Sequence, residues 1–166
     1  MDKAAMGDTP MDKAPANNTL KITSLKDNSV LPHRATEQSA GFDLSACLDL
    51  PVTLPPGEIK LVGTGIAAAI PAGYAGFIYA RSGLASKHGV ALANGVGVID
   101  SDYRGEIKVA LINLSGKEYA ITPGERIAQL VIMPISLMPV ESVDSLDETG
   151  RGAGGFGSTG KTGNNN

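Results

Sequence analysis

The chain has one cysteine, two histidines and no tryptophan among its 166 residues. A lone thiol excludes an intrachain disulfide and any cysteine-based zinc site. Cys47 is expected to act as a small buried hydrophobe. Two histidines do not furnish a histidine metal cluster. Aromatic residues make up 4% of the chain against 42% hydrophobic residues overall, so the core must be aliphatic. No apolar run is long enough to span a membrane, because Gly and Pro interrupt every candidate. A net charge of −3 provides no broad basic face, so neither stable nucleic-acid binding nor membrane binding is expected. Met1–Asp8 has no apolar stretch and carries acids early. Neither a signal nor a transit peptide is evident there, and a cytoplasmic or nuclear location is expected.

What is abundant is turn chemistry: 21 Gly and 10 Pro. Short apolar or alternating runs recur from Leu20 onward, each closed by Gly, Pro, Asn or Asp. They are Leu20–Leu25, Gly41–Leu50, Glu58–Ile70, Gly76–Ala80, Val90–Ala93, Glu106–Leu114, Tyr119–Ile121 and Arg126–Pro134. Pro55–Gly57 and Thr122–Gly124 each precede a strand and mark tight turns. In Glu106–Leu114 both alternating faces are apolar, which predicts burial on two sides, by a second sheet or a second subunit. No window of helical length carries a clean 3.6-residue stripe. The one short helix expected is Gly83–His88, with Ser82 as its N-cap. The predicted fold is all-β, a jelly-roll-like sandwich or barrel. Residues 1–18 are polar and repeat Met-Asp-Lys-Ala, and they are expected to be a disordered tail. The folded domain is expected over 19–147. A Gly-rich C-terminal arm follows over 148–166, too poor in apolar residues to fold alone.

Three stretches concentrate chemistry. Arg81-Ser82-Gly83 follows a strand and offers a guanidinium, a hydroxyl and free backbone amides, a combination suited to phosphate; an ordinary capped helix with a surface Arg would read the same. Gly97-Val98-Ile99-Asp100-Ser101-Asp102-Tyr103-Arg104-Gly105 sets two carboxylates, a phenol and a guanidinium between glycines. Asp100 follows an aliphatic run that would lower the local dielectric, and a carboxylate there can take a proton from water. In an extended segment Asp102 would point the other way. The alternative is an Asp-Ser-Asp turn that merely closes a hairpin. The third stretch, Gly155–Thr162, fits the pattern G-x-x-x-x-G-K-[ST]. Only four residues follow it, so the helix that a phosphate-binding P-loop requires is missing. Consecutive glycine amides can still cradle phosphate without a helix, and Phe156, an aromatic among glycines, suits stacking on a base.

Five blocks stand in order: Ala40–Ala46, Arg81–Ala85, Gly97–Gly105, Gly124–Leu130 and Arg151–Gly160. Together they resemble the five motifs of the trimeric deoxyuridine triphosphatases (dUTPases), over roughly Leu20 to Lys161. The one departure noticed is Phe42, where many members carry Tyr. The resemblance implies a jelly-roll homotrimer in which each site takes motifs from two subunits and the arm of a third. It implies hydrolysis of dUTP to dUMP and pyrophosphate, which keeps uracil out of DNA and supplies dUMP for dTTP synthesis. By the same resemblance Asp100 is the base that directs a water at the α-phosphorus, and Gln129 positions water or phosphate. Arg81, Ser82 and Gly83 bind the phosphate chain. The hairpin Ala93–Ile99, with Asn94, Gly97, Val98 and Ile99, reads uracil, and Tyr103 packs under the deoxyribose. Arg151, Gly157, Ser158 and Thr159 grip the terminal phosphates, while Phe156 stacks on uracil. Mg2+ is held mainly by phosphates and water, with Asp43 as an outer-shell or structural carboxylate. Arg104, Arg126 and Asp102 are assigned to structure or interface. A dCTP deaminase relative or a non-catalytic deoxynucleotide sensor on the same fold are the alternatives; the complete arm and Asp100 stand against them.

Overall fold

A computed structural model describes residues 19–155. The chain divides between Ser136 and Leu137 into two units. The first unit holds eleven strands and one helix among its described residues: β1 (Lys21–Ser24), β2 (Phe42–Ser45), β3 (Val52–Leu54), β4 (Ile59–Gly63), β5 (Ile66–Ala69), β6 (Tyr74–Ala80), α1 (Ser82–His88), β7 (Val90–Leu92), β8 (Gly97–Ile99), β9 (Lys108–Asn113), β10 (Tyr119–Ile121) and β11 (Arg126–Pro134). All pairings are antiparallel. The sheets run β2-β11-β6-β8, β4-β9-β7, β1-β5 and β3-β10. This is the expected all-β, jelly-roll-like architecture.

The core is aliphatic, as the missing aromatics require. Leu44, Leu54, Ile66, Val90, Ile107, Val109, Leu111, Ile121, Ile127 and Leu130 are fully buried, while Phe42, Tyr74 and Tyr119 only pack against its margin. Each such aliphatic side chain contributes about 1.5–3 kcal/mol when removed from water. Cys47 is buried among them, its thiol donating to Asn28 Oδ1 at 3.0 Å.

Both Pro-Gly turns form where expected. Gly57 and Gly124 take φ of 75° and 74°, and the closing bonds run from the Glu58 amide to the Pro55 carbonyl (3.2 Å) and from the Glu125 amide to the Thr122 carbonyl (3.1 Å). Pro at the second position and Gly at the third make these type II turns, in which the third residue must have positive φ. The second turn is further clasped by Glu125, whose carboxylate accepts the Thr122 amide and hydroxyl and the Tyr119 hydroxyl. Burial first, then the hydrogen bond and charge of Glu125, push the Tyr119 phenol up to about 12. Asn113 organises the loop that leads into β10. It is wholly buried; its amide donates to the Leu54 and Lys117 carbonyls at 2.9 and 2.7 Å, and its oxygen accepts the Ser115 amide and hydroxyl at 2.9 and 2.8 Å.

Three expectations need correction. The run Glu58–Ile70 is two strands, because Gly63-Thr64-Gly65 bends the chain, with Gly65 at φ 67°. Gly41–Leu50 ends its strand at Ser45, and Val52–Leu54 forms a separate strand that pairs with β10. Helix α1 begins at Ser82, with extended Arg81 in the capping position and no side-chain cap; Ser82 is therefore the first helical residue, not the N-cap. Within the single chain, strand β9 buries one face, through Val109, Leu111 and Asn113, and leaves the other for a second subunit to cover if the expected two-sided burial holds. Its other face presents Ala110 and Ile112, and Leu114 just beyond the strand is 69% exposed.

The second unit has no strand or helix from Leu137 to Gly155. Leu137, Met138, Val140, Val143 and Leu146 are exposed.

Candidate active site

Two groups of the expected residues assemble separately. The first lies on one face of the β2-β11-β6 sheet. Asp43, Gln129 and Tyr79 are cross-strand partners, and directly opposed residues share a face. Arg81, two residues beyond Tyr79 in still-extended backbone, joins them. A bulge in β11 between Arg126 and Ala128 adds Arg126. Three residues apart in a regular strand, Arg126 and Gln129 would face opposite ways; the extra residue returns both to the polar face. It also explains why Ile127 and Ala128, consecutive in sequence, are both buried.

Asp43 is the hinge of this group. Its Oδ1 accepts Arg81 Nε at 3.1 Å and its Oδ2 accepts Arg126 Nη1 at 2.9 Å, with the carboxylate side chain only 11% exposed. Arg81 Nη1 also donates to the Arg126 carbonyl at 3.0 Å. Two guanidiniums thus share one carboxylate and leave a net positive charge. Gln129 Nε2 donates to the Ala80 carbonyl at 3.1 Å. Its side chain lies over Gly41, where a Cβ would come within 2.8 Å of Gln129 Oε1. That close approach is why glycine stands in the first motif. Ser82 and Gly83 are exposed beside Arg81. Arg126, assigned to structure from sequence, is half of this pair.

The second group lines a cleft of about 340 Å³ that gathers Asn94, Gly97, Val98, Ile99, Asp100 and Tyr103. Strand β8 pairs with β6, Gly97 opposite Ile78 and Ile99 opposite Gly76. Asp100 to Tyr103 is a turn, closed by the Tyr103 amide on the Asp100 carbonyl at 3.2 Å. The segment is not extended, so strand alternation does not separate Asp100 from Asp102; the turn does, and Asp102 is not part of the cleft wall. Nor do the aliphatic neighbours bury Asp100: Ile99 points into the core while Asp100 is exposed. The Tyr103 ring folds back over Gly105, where a Cβ would lie 2.4 Å from its hydroxyl oxygen, and that hydroxyl donates to the Glu106 carbonyl at 3.0 Å. Arg104 Nη1 donates to the Ser101 and Tyr103 carbonyls at 2.7 and 2.9 Å. Leu61, Glu106 and Lys108 also line the cleft. They were not anticipated, because a strand residue's nearness to a site many positions away leaves no local signal.

Asp43, Arg81, Arg126 and Gln129 do not line the cleft. Strand β6 carries the two groups on alternate residues, Ile78 toward the cleft and Tyr79 and Arg81 toward Asp43. In the second unit, Arg151 Nε donates to the Gly154 carbonyl at 2.8 Å. Phe156, Gly157, Ser158 and Thr159 lie outside the described residues.

A sequence model of the dUTPase family matches residues 27–160. The chain belongs to the dUTPase family. It is 58% identical over 106 residues to the deoxyuridine 5'-triphosphate nucleotidohydrolase of Idiomarina loihiensis, covering 63% of this chain and 70% of that one. With the enzyme of the same name from Burkholderia mallei it shares 52% over 117 residues, 70% and 79% of the two chains. The dUTPase of Staphylococcus bacteriophage 80alpha, solved with dUpNHpp, superposes with a TM-score of 0.80 at 31% identity, over 87% of this chain and all of that one. A variant dUTPase from phage phi11 of S. aureus, for which coordination of a structural Mg(II) ion is described, matches at 28% identity and TM-score 0.70, over 77% and 98%. In this dUTPase, no three His, Cys, Asp or Glu side chains among the described residues form a metal-ion cluster, and both oxygens of Asp43 already accept guanidinium protons. No helix among the described residues is long and apolar enough to cross a membrane.

Proposed function

We propose that this dUTPase hydrolyses Mg2+-bound dUTP to dUMP and pyrophosphate, with Asp100 as the base. The convergence of Asn94, Gly97–Ile99, Asp100 and Tyr103 on one cleft carries the reading. A water attacks the α-phosphorus in line, the bond to the bridging oxygen of the β-phosphate breaks, and the proton of the water passes to the Asp100 carboxylate. The backbone of the Ala93–Ile99 hairpin and the Asn94 amide read uracil; a mismatched base would leave those polar groups unpaired. Tyr103, pinned over Gly105 and bonded to the Glu106 carbonyl, leaves no room for a 2′-hydroxyl. Arg81, Ser82 and Gly83 take the phosphate chain, and Gln129 positions water or phosphate. Mg2+, when bound, would be held mainly by the substrate phosphates and water, and would offset the phosphate charge. Asp43, saturated by Arg81 and Arg126, acts as a structural carboxylate that aims Arg81.

The separation of the two groups along β6 supports a site built from more than one subunit. An apolar outer face supports the homotrimer: Ile59 and Leu61 on β4 and Leu114 beyond β9 are 59%, 64% and 69% exposed, and Leu61 also borders the cleft. Solitary exposed hydrophobics are ordinary, but several on one sheet face mark an interaction surface. The arm, residues 148–166, closes over the bound nucleotide through Arg151, Phe156, Gly157, Ser158 and Thr159 and expels water. Truncation after Glu148 is expected to leave the oligomer folded, by light scattering and circular dichroism, while turnover falls by about 10²-fold or more. Full activity of the truncated protein would make the arm dispensable.

The reaction is tested by pyrophosphate release from dUTP with Mg2+, beside UTP, dCTP and dTTP. Release from dUTP alone is expected. Tyr103→Ala should lower the dUTP-to-UTP ratio of kcat/KM by about tenfold or more, and an unchanged ratio would move sugar selection elsewhere.

A further inference from the structure

We infer that Glu106 is a positioning residue that fixes Tyr103, and with it selection of the sugar, by docking its carboxylate into a socket formed by Gly63-Thr64-Gly65. The inference rests on the assignment of Tyr103 to the deoxyribose.

The loop from Asp100 to Ile107 is stiffened internally by Arg104 and by the Tyr103 hydroxyl on the Glu106 carbonyl. What ties its far end to the rest of the domain is the bend between β4 and β5. The Ile107 amide donates to the Ile66 carbonyl at 2.9 Å, and the Ile107 carbonyl accepts the Thr64 amide and hydroxyl at 3.2 and 2.6 Å. The remaining clasp comes from the side chain of Glu106: its Oε1 accepts the Gly65 amide at 3.0 Å.

The socket is shaped for that carboxylate. A Cβ on Gly63 would lie 2.4 Å from Glu106 Oε1, so only glycine admits it. Gly65 turns its amide toward the carboxylate with φ of 67°, and a side chain there would strike the Cys47 sulfur at 2.5 Å. Thr64 is buried with its hydroxyl committed to Ile107. The second carboxylate oxygen stands 3.6 Å from Lys108 Nζ, at the wall of the same cleft. That partly exposed pair adds little stability, but it keeps the ammonium on the wall. Because the Tyr103 hydroxyl is bonded to Glu106 itself, any shift of Glu106 is passed directly to the ring. Small displacements of positioning groups carry large kinetic costs.

The test compares Glu106→Ala, Glu106→Gln, Gly63→Ala and Tyr103→Ala in the full-length protein, reading kcat and KM for dUTP and UTP alongside the melting temperature. Glu106→Ala is expected to lower the dUTP-to-UTP ratio about tenfold. Glu106→Gln retains an acceptor oxygen for the Gly65 amide and should restore most of the ratio. Gly63→Ala, which evicts the carboxylate from the other side, should reproduce the Ala phenotype and replaces it if Glu106→Ala does not fold. A drop in melting temperature with an unchanged ratio, while Tyr103→Ala lowers that ratio, overturns the role of Glu106. A Gln variant as impaired as Ala overturns the hydrogen-bond account. An unchanged ratio in Tyr103→Ala as well removes the sugar assignment and this inference with it.

Discussion

Asp100→Asn is expected to abolish turnover while leaving nucleotide binding within a few-fold of the parent. The substitution keeps shape and volume, and the turn it belongs to is closed by main-chain atoms, the Tyr103 amide on the Asp100 carbonyl. The cleft should therefore survive intact. What disappears is the ability to accept a proton. A positioned general base is worth about 10²–10⁴-fold in rate, and the loss should fall on kcat, because the interaction is made only as the water attacks. Pyrophosphate release and titration with a non-hydrolysed dUTP analogue separate the two quantities. Near-normal turnover would remove Asp100 as the base; loss of binding in parallel would make it a ground-state contact instead.

Asn113→Asp should cost the domain a large part of its stability. The Asn113 amide nitrogen lies 2.9 and 2.7 Å from the Leu54 and Lys117 carbonyl oxygens, with the residue wholly buried. An ionised carboxylate would set oxygen against oxygen at both contacts, with only the Ser115 amide and hydroxyl left as donors to it. Leaving a buried charge uncompensated costs about 3–5 kcal/mol, against a total stability of about 5–15 kcal/mol for a typical domain. The sign with pH follows from linkage. Burial and facing carbonyls raise the folded-state pKa of the new carboxyl above its unfolded value of about 3.9. The folded protein then holds the proton more tightly than the unfolded one. The penalty is least below the unfolded pKa and grows as pH rises toward the folded pKa. The difference in denaturant midpoint between variant and parent should thus widen between acid and neutral pH. A difference that does not change with pH would mean that the carboxyl has escaped to solvent.

Much of the fold could be read from runs of apolar residues and from Pro-Gly punctuation. Tyr119–Ile121 and Arg126–Pro134 appear with the bounds expected, because a type II turn precedes one strand and shows the end of the other. The errors cluster where long-range contacts decide. In Glu58–Ile70 the only local sign of the bend is the pair Gly63 and Gly65; the carboxylate it holds, that of Glu106, comes from a distant part of the chain. The placement of Ser82 as a cap follows from propensity, yet Arg81 takes that position since Asp43 and the Arg126 carbonyl hold its side chain and keep its backbone extended. Among site residues, those contiguous in one loop were legible together. The Asp43–Arg81–Arg126 bridge joins three separate motifs, and the β11 bulge that admits Arg126 has no signature beyond two adjacent apolar residues.

Strand β11 is the last of the fold in sequence, yet it lies inside its sheet, between β2 and β6. A chain emerging from the ribosome therefore holds β2 and β6 apart until residues 126–134 are available to zip between them. Pairings of such long sequence separation are slow to form and leave strand edges open meanwhile. Gln129 and Arg126 ride on this closing strand. A nascent or prematurely ended chain lacking it has neither a sealed core nor the Arg126 and Gln129 half of the phosphate face.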